Sequence, residues 1–207
     1  MKKYEFTGET KQVELLFRTA TLHRIKAVAE FGIVKVGDLG GWIEKEENLS
    51  HDGKAWVYGD AKVWGNAKVC DDAEVYGDAK VWGNAEVCDD AKVCDDAEVW
   101  GNAKVCDDAK VCDDAEVWGN AEVYGNAEVF SISHVLVIGP IGSRNDFTTF
   151  FRDKDSEITV KCGCFLGKID KFLEKVSGTH GDSKYAIVYR TAVEIAKQQI
   201  DLSEEKQ

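Results

Sequence analysis

The chain has 207 residues, of which 44% are hydrophobic, with one Pro, seven Cys and a formal net charge of −12. That length can bury a core but not several large domains, and so acidic a chain argues against a nucleic-acid backbone as partner. The longest apolar run, Val135 to Ile138, is far too short for a membrane span, and no stretch resembles a signal peptide. An odd number of cysteines then points to free thiols in a reducing, cytoplasmic setting.

Residues 1–50 read as an N-terminal β cap. Tyr4 and Phe6 alternate, Val13 to Phe17 forms a second apolar run, and Leu22 to Phe31 fits the strand and helix periods equally imperfectly. The segment from Gly37 to Trp42 is a turn-rich link. Ile43, Leu49 and Ala55 are spaced by six, so a degenerate first coil is expected to begin near Gly41 and to be covered by the cap.

Residues 51–130 carry the organising pattern. Ala recurs every six residues from Ala55 to Ala127, and Val every six from Val57 to Val129, without one insertion. Ala and Val two apart lie on one face of an extended segment, and the Gly-Asn, Gly-Asp or Asp-Asp that follows tolerates positive φ at a corner. Each hexapeptide is thus a short strand and a turn. The residue after Val repeats better at eighteen than at six, so three units close a coil. Sorting by eighteen gives Trp64, Trp82, Trp100 and Trp118 in one column and Cys70, Cys88, Cys106 and Tyr124 in a second. The third holds Tyr58, Tyr76, Cys94, Cys112 and Phe130. The pattern resembles the left-handed parallel β-helix of hexapeptide-repeat proteins, which implies a mainly β solenoid with Val and Ala pointing inward.

Charge concentrates at the corners. Between residues 55 and 130, six Lys face twelve Asp and six Glu, a balance equal to that of the whole chain. Asp60, Asp78, Asp96 and Asp114 form one column and Asp72, Asp90 and Asp108 another, while Asn66, Asn84, Asn102 and Asn120 make a neutral one. Stacked Cys-Asp-Asp units offer sulfur and oxygen, but parallel side chains on a flat face converge poorly on a tetrahedral ion, so no metal site is expected.

Residues 131–207 read as a small C-terminal α+β domain. His134 to Ile138 is a strand, Gly139 to Gly142 a turn, and Phe147 to Arg152 and Glu157 to Cys162 are strands about a Lys154-Asp155-Ser156 turn. Ile169, Phe172, Leu173 and Val176 have helical spacing with Gly178 as a stop. Asp182 would cap a second helix bearing Tyr185, Val188, Tyr189, Ala192, Val193 and Ala196.

The order GDLGGWIE, NLSHDGKAWVYGDAKV, the repeats, IGPIGSRND, CGCFLG and HGDSKYAIVYR is similar to a family of uncharacterised hexapeptide-repeat proteins of phages and prophage-bearing bacteria. This resemblance spans nearly the whole chain. It implies a phage protein in the host cytosol, and a counter-defence role that captures a nucleotide signal or host protein. By analogy with hexapeptide proteins generally it also implies a homo-oligomer, most simply a trimer.

The residues favour a non-enzymatic binding or sequestering protein without cofactor over a trimeric hexapeptide-repeat acyltransferase. Such a transferase needs a general base, usually His, beside a cleft. The repeat from Ala55 to Val129 holds no His and no extruded loop; His51 and His134 flank it, and His23 and His180 lie in the end modules. Ser143, Arg144 and Asn145, in a glycine-bearing loop, suit an anionic ligand, with Lys184 and Arg190 as further cations. Trp64, Trp82, Trp100 and Trp118 form a strip expected at an interface, the other reading being an aromatic ladder that stabilises the rungs.

Overall fold

The structure, a computed structural model, describes residues 2–16 and 18–203; Phe17, the end of the second apolar run, lies outside them. Strands β1 (Tyr4–Glu14) and β2 (Thr19–Ala27) form an antiparallel hairpin, which settles the Leu22 to Phe31 ambiguity in favour of a strand through Ala27. β3 (Leu39–Ile43) pairs antiparallel with β2 and parallel with the first rungs of the repeat. From Trp56–Val57 to Glu128–Val129, every hexapeptide then contributes one two-residue strand, β4 to β16 in order.

These strands sort into three parallel faces by their position modulo three, the eighteen-residue period. Val63, Val81, Val99 and Val117 stack in one inward column and are all fully buried, as are the other repeat valines and nearly every repeat alanine. Backbone hydrogen bonds run along the axis from rung to rung, for example Lys62 N–H to Ala79 O at 2.9 Å and Trp64 N–H to Val81 O at 3.0 Å. Each buried Val contributes about 1.5–3 kcal/mol relative to exposure. The chain is therefore a hexapeptide-repeat β-solenoid.

The corners follow the sequence closely. The residue two after each repeat Val from Val57 to Val123 has positive φ whether it is Gly or Asp: Gly65, Gly83 and Gly101 on one edge, Asp71, Asp89 and Asp107 on another. Aspartate tolerates this left-handed conformation better than most side chains, at a cost of roughly 1 kcal/mol. Between the corners, cross-rung ion pairs join Lys92 to Glu74, Lys104 to Glu86, Lys80 to Glu98 and Lys110 to Glu128. The Asn column forms a ladder, each Nδ2 donating to the next Oδ1 at 3.0–3.1 Å from Asn66 to Asn120.

Within the coil the structure departs from the sequence reading at two points. Ile43 and Leu49 do not continue the Ala register toward Ala55. They pair with Val63 and Val69, twenty residues on, whereas Val57 pairs with Val75 at eighteen, because the Ser50 to Lys54 turn carries two extra residues. The cysteines are not all free thiols. Stacking at eighteen brings the Cα atoms of Cys88 and Cys106 to 4.8 Å and those of Cys94 and Cys112 to 4.5 Å, within disulfide reach, and both pairs are bonded. Cys70, Cys162 and Cys164 are free thiols.

Both ends of the coil are covered. At the start, Tyr4, Ile25, Ala27 and Val34 pack over Trp56 and the first rung valines, and Tyr4 O–H donates to Leu49 O at 2.9 Å. At the other end, Phe151 joins the solenoid core, while Asp153 bridges to Ala127. The module beyond is an antiparallel sheet of β17 (Val135–Ile141), β18 (Asp146–Arg152), β19 (Ile158–Cys162) and β20 (Phe165–Lys168), backed by α1 (Ile169–His180) and α2 (Lys184–Gln199). β17 runs through Gly139 and Pro140 with a register shift, so the turn falls at residues 142–145 rather than at Gly139 to Gly142. β20 was not anticipated, α1 continues past Gly178 to a cap at Gly181, and Ser183 rather than Asp182 precedes α2. Gly178 has open space around it and no positive φ, so nothing forces a stop there.

Candidate functional site

A cavity of about 260 Å³ opens in the C-terminal module where the β17–β18 turn, the β19–β20 turn and both helices meet. Its apolar lining comes from Phe165 on β20, Phe172 and Val176 on α1 and Tyr189 on α2. The Phe172 ring sits 5.4 Å from Phe165 and 5.6 Å, edge-on, from Tyr189. Phe172, Val176 and Tyr189 are buried because the same helical faces close the module core.

The polar groups line the same cavity. Ser143 and Arg144 come from the turn, and Lys175, Thr179 and His180 from the last turns of α1. His180 stacks on Tyr189 at 5.8 Å. Burial pushes the Tyr189 phenol up to about 12, so it stays neutral and can donate a hydrogen bond. Two glycines make room: a Cβ on Gly163 would overlap the Arg144 guanidinium, and one on Gly142 would overlap the Tyr189 hydroxyl, both at positive φ. Arg144 therefore lies across the Cys162-Gly163-Cys164 turn, with both cysteines in the lining.

Of the five ligand residues expected from sequence, Ser143 and Arg144 line this cavity. Asn145 holds the turn at positive φ, with its N–H toward Gly142 O at 3.4 Å. Lys184 lies over the Tyr185 ring, 5.1 Å from its centroid, and does not line the cavity. Arg190 is turned to the α1–α2 connection, where it reaches Gly181 O, Ser177 Oγ and Asp182 Oδ1, which is a helix-joining role. Lys175, Thr179 and His180 were missed. Lys175 follows Phe172 by three residues, and Thr179 and His180 follow Val176 by three and four, which places them beside that stripe, but only the packing of α1 on the sheet shows which flank of it faces the turn.

The tryptophan column is a continuous stack. Successive centroids are 5.0, 4.9 and 6.2 Å apart from Trp64 to Trp118, with the first two pairs parallel within 4°. Trp64 is only 5% exposed, because Ala20, Leu22 and Trp42 of the N-terminal sheet close over it. Trp82 and Trp100 have a ring on either side and are half-buried, whereas Trp118 is 54% exposed.

The histidines flanking the repeat are packed acceptors. His51 Nδ1 receives the Lys3 N–H at 3.2 Å, its ring lies 4.3 Å from Tyr4, and burial holds it below the usual imidazole range. His134 is 1% exposed and its Nδ1 receives the Phe130 N–H at 3.1 Å. His23 lies against Phe6 at 4.9 Å. The stacked Cys-Asp units bring three ligand atoms together, one short of a tetrahedral set: those of Cys88, Asp89 and Cys106 lie within 4.8 Å of one another, as do those of Cys94, Asp95 and Cys112. Disulfide bonding occupies the sulfurs of both groups.

Among the described residues no helix is long and apolar enough to cross a membrane. No family model matches the chain. It is similar to the uncharacterized acetyltransferase YdcK of Escherichia coli strain K12, being 30% identical over 80 residues, 33% of this chain and 24% of that protein. The chain thus spans about a quarter of the length of the curated relative it matches, and the likeness joins it to that acetyltransferase over one segment alone.

Proposed function

We infer that the protein acts by binding, and that the C-terminal cavity takes an anionic small molecule with a flat apolar part, nucleotide-like in its chemistry. The observation that carries this reading is the convergence of Arg144, Lys175 and His180 on the aromatic lining of Phe165, Phe172 and Tyr189. Among the described residues, neither Arg144 nor Lys175 is engaged in a salt bridge, so both cations are available to a ligand anion. The planar guanidinium suits a phosphate or carboxylate, the rings suit a base, and the neutral Tyr189 hydroxyl supplies a donor.

Calorimetric titration with ADP, pyrophosphate and adenosine tests this. ADP is expected to bind more tightly than either part. Arg144→Ala should weaken it by about 1.5–3 kcal/mol, the range for a charged hydrogen bond, and Lys184→Ala should leave it unchanged. Failure of all three compounds to bind, or an Arg144→Ala protein with unaltered affinity, would remove the cavity as the site.

A second reading, acetyl transfer, is favoured by the likeness to the acetyltransferase. Incubation with acetyl-CoA and amine or hydroxyl acceptors separates the two, since a binding protein releases no free CoA.

A further inference from the structure

The exposed end of the tryptophan stack borders a second cavity, of about 300 Å³, in the angle between the solenoid and β17. One face of Trp118 is taken by Trp100, and the remainder of its ring, with Ile132, Leu136 and Phe147, forms an apolar lining. Its size is at the lower end of small-molecule sites.

The lining carries one carboxylate, Glu116, which makes no ion pair among the described residues. The solenoid strands hold six glutamates. Glu74, Glu86, Glu98 and Glu128 are paired with lysines of neighbouring rungs, and Glu122 with Lys161 of the end module. Among the described residues Glu116 alone of these six has no ion-pair partner. Its rung neighbour is Glu98, a second negative charge, and the coil ends before another rung can supply a lysine. A half-buried carboxylate without a counter-ion beside an open indole attracts a positive charge from both, through ion pairing and through the ring's negative face.

We propose that this junction cavity is a binding site for a planar aromatic cation, which extends the tryptophan stack on Trp118 and neutralises Glu116. It is separate from the anion-binding cavity of the C-terminal module and takes the opposite charge, so either assignment can fail without the other.

The test uses the full chain and 1-methylquinolinium as probe, with neutral quinoline at pH 8 and naphthalene-2-sulfonate as matched controls, followed by tryptophan quenching and calorimetry. The quinolinium ion is expected to bind about tenfold more tightly than quinoline, and the sulfonate weakest. Glu116→Gln should lower quinolinium affinity roughly fivefold and leave quinoline unaffected, and Trp118→Leu should lower both at least tenfold. Lys175→Ala, in the other cavity, should change neither. Equal binding of all three probes, or unchanged affinity in the Glu116→Gln protein, whose near-isosteric substitution keeps the fold, would overturn the proposal. So would concentration-dependent sedimentation abolished by Trp118→Leu, which would make the surface a contact between copies.

Discussion

The solenoid and the C-terminal module solve the same problem, burying apolar side chains while satisfying backbone hydrogen bonds, in opposite ways. In the solenoid every rung repeats its neighbours: the same Val and Ala go in, the same N–H to C=O bonds run along the axis, and the same corner conformation recurs whether Gly or Asp supplies it. In the module each contact occurs once. Asp153, fully buried at the seam, accepts from Thr159 Oγ1 at 2.6 Å, from the Asp155 and Glu157 N–H groups, and from Lys168. Repetition yields stability spread evenly along the axis. Unique contacts concentrate stability, and with it the capacity to shape a site, in a few side chains.

The largest expected effect is therefore at Asp153. Burial pushes its carboxyl up, but the Lys168, Thr159 and backbone bonds outweigh burial and hold it below the ordinary 3.8. A carboxyl depressed in the folded state stabilises above its unfolded pKa and loses that contribution as pH falls through the folded value. The module should accordingly weaken below about pH 4. Asp153→Asn should cost about 2–3 kcal/mol at pH 7 and flatten the acid limb in chemical denaturation. An undiminished acid dependence in that variant would place the responsible carboxyl elsewhere.

Within the solenoid, Val81→Ala and Val99→Ala should each cost about 2 kcal/mol and agree within about 0.5 kcal/mol, because one column gives both the same surroundings. Val160→Ala and Val193→Ala, in the module core, should differ from each other by more. Denaturant midpoints that scatter equally in both regions would break the comparison.

The tryptophan ladder gives a smaller, graded effect. Trp82→Leu removes two ring contacts and should cost about 1–2 kcal/mol, while Trp118→Leu removes one from an exposed ring and should cost under about 1 kcal/mol. Equal costs would mean that the stack itself contributes little. Smallest is Asp95→Gly. It relieves a left-handed aspartate and the charge facing Asp113 one rung away, against the greater unfolded freedom of Gly, for a net stabilisation of about 0.5 kcal/mol. Thermal melts of variant and parent should resolve the sign.

Much of the solenoid is legible in the sequence. A six-residue period of Ala and Val fixes strand, corner and inward face, and the eighteen-residue recurrence of Trp and Cys fixes three strands per turn, because identical side chains stack well only when they lie on the same face. Legibility fails where the period breaks. The two extra residues between Ser50 and Lys54 put Ile43 and Leu49 into the Val register, and Gly139-Pro140 reads as a turn in sequence although β17 continues through it. In the candidate site, Arg144 and Ser143 were readable from their glycine-bearing loop, while Lys175, Thr179 and His180 were not.

The sequence by itself determined the coil, its three faces and the alignment of its columns, since each depends on residues at fixed short intervals and on rules of backbone conformation that act locally. Tertiary structure alone decided that Arg190 joins two helices while Lys175 and His180 reach the cavity. It also decided that cysteines eighteen residues apart become bonded, that Trp64 is roofed by Leu22 and Trp42, and that Glu116 makes no ion pair among the described residues. These outcomes depend on which surfaces meet across tens of residues, and no local preference of an amino acid encodes such a meeting.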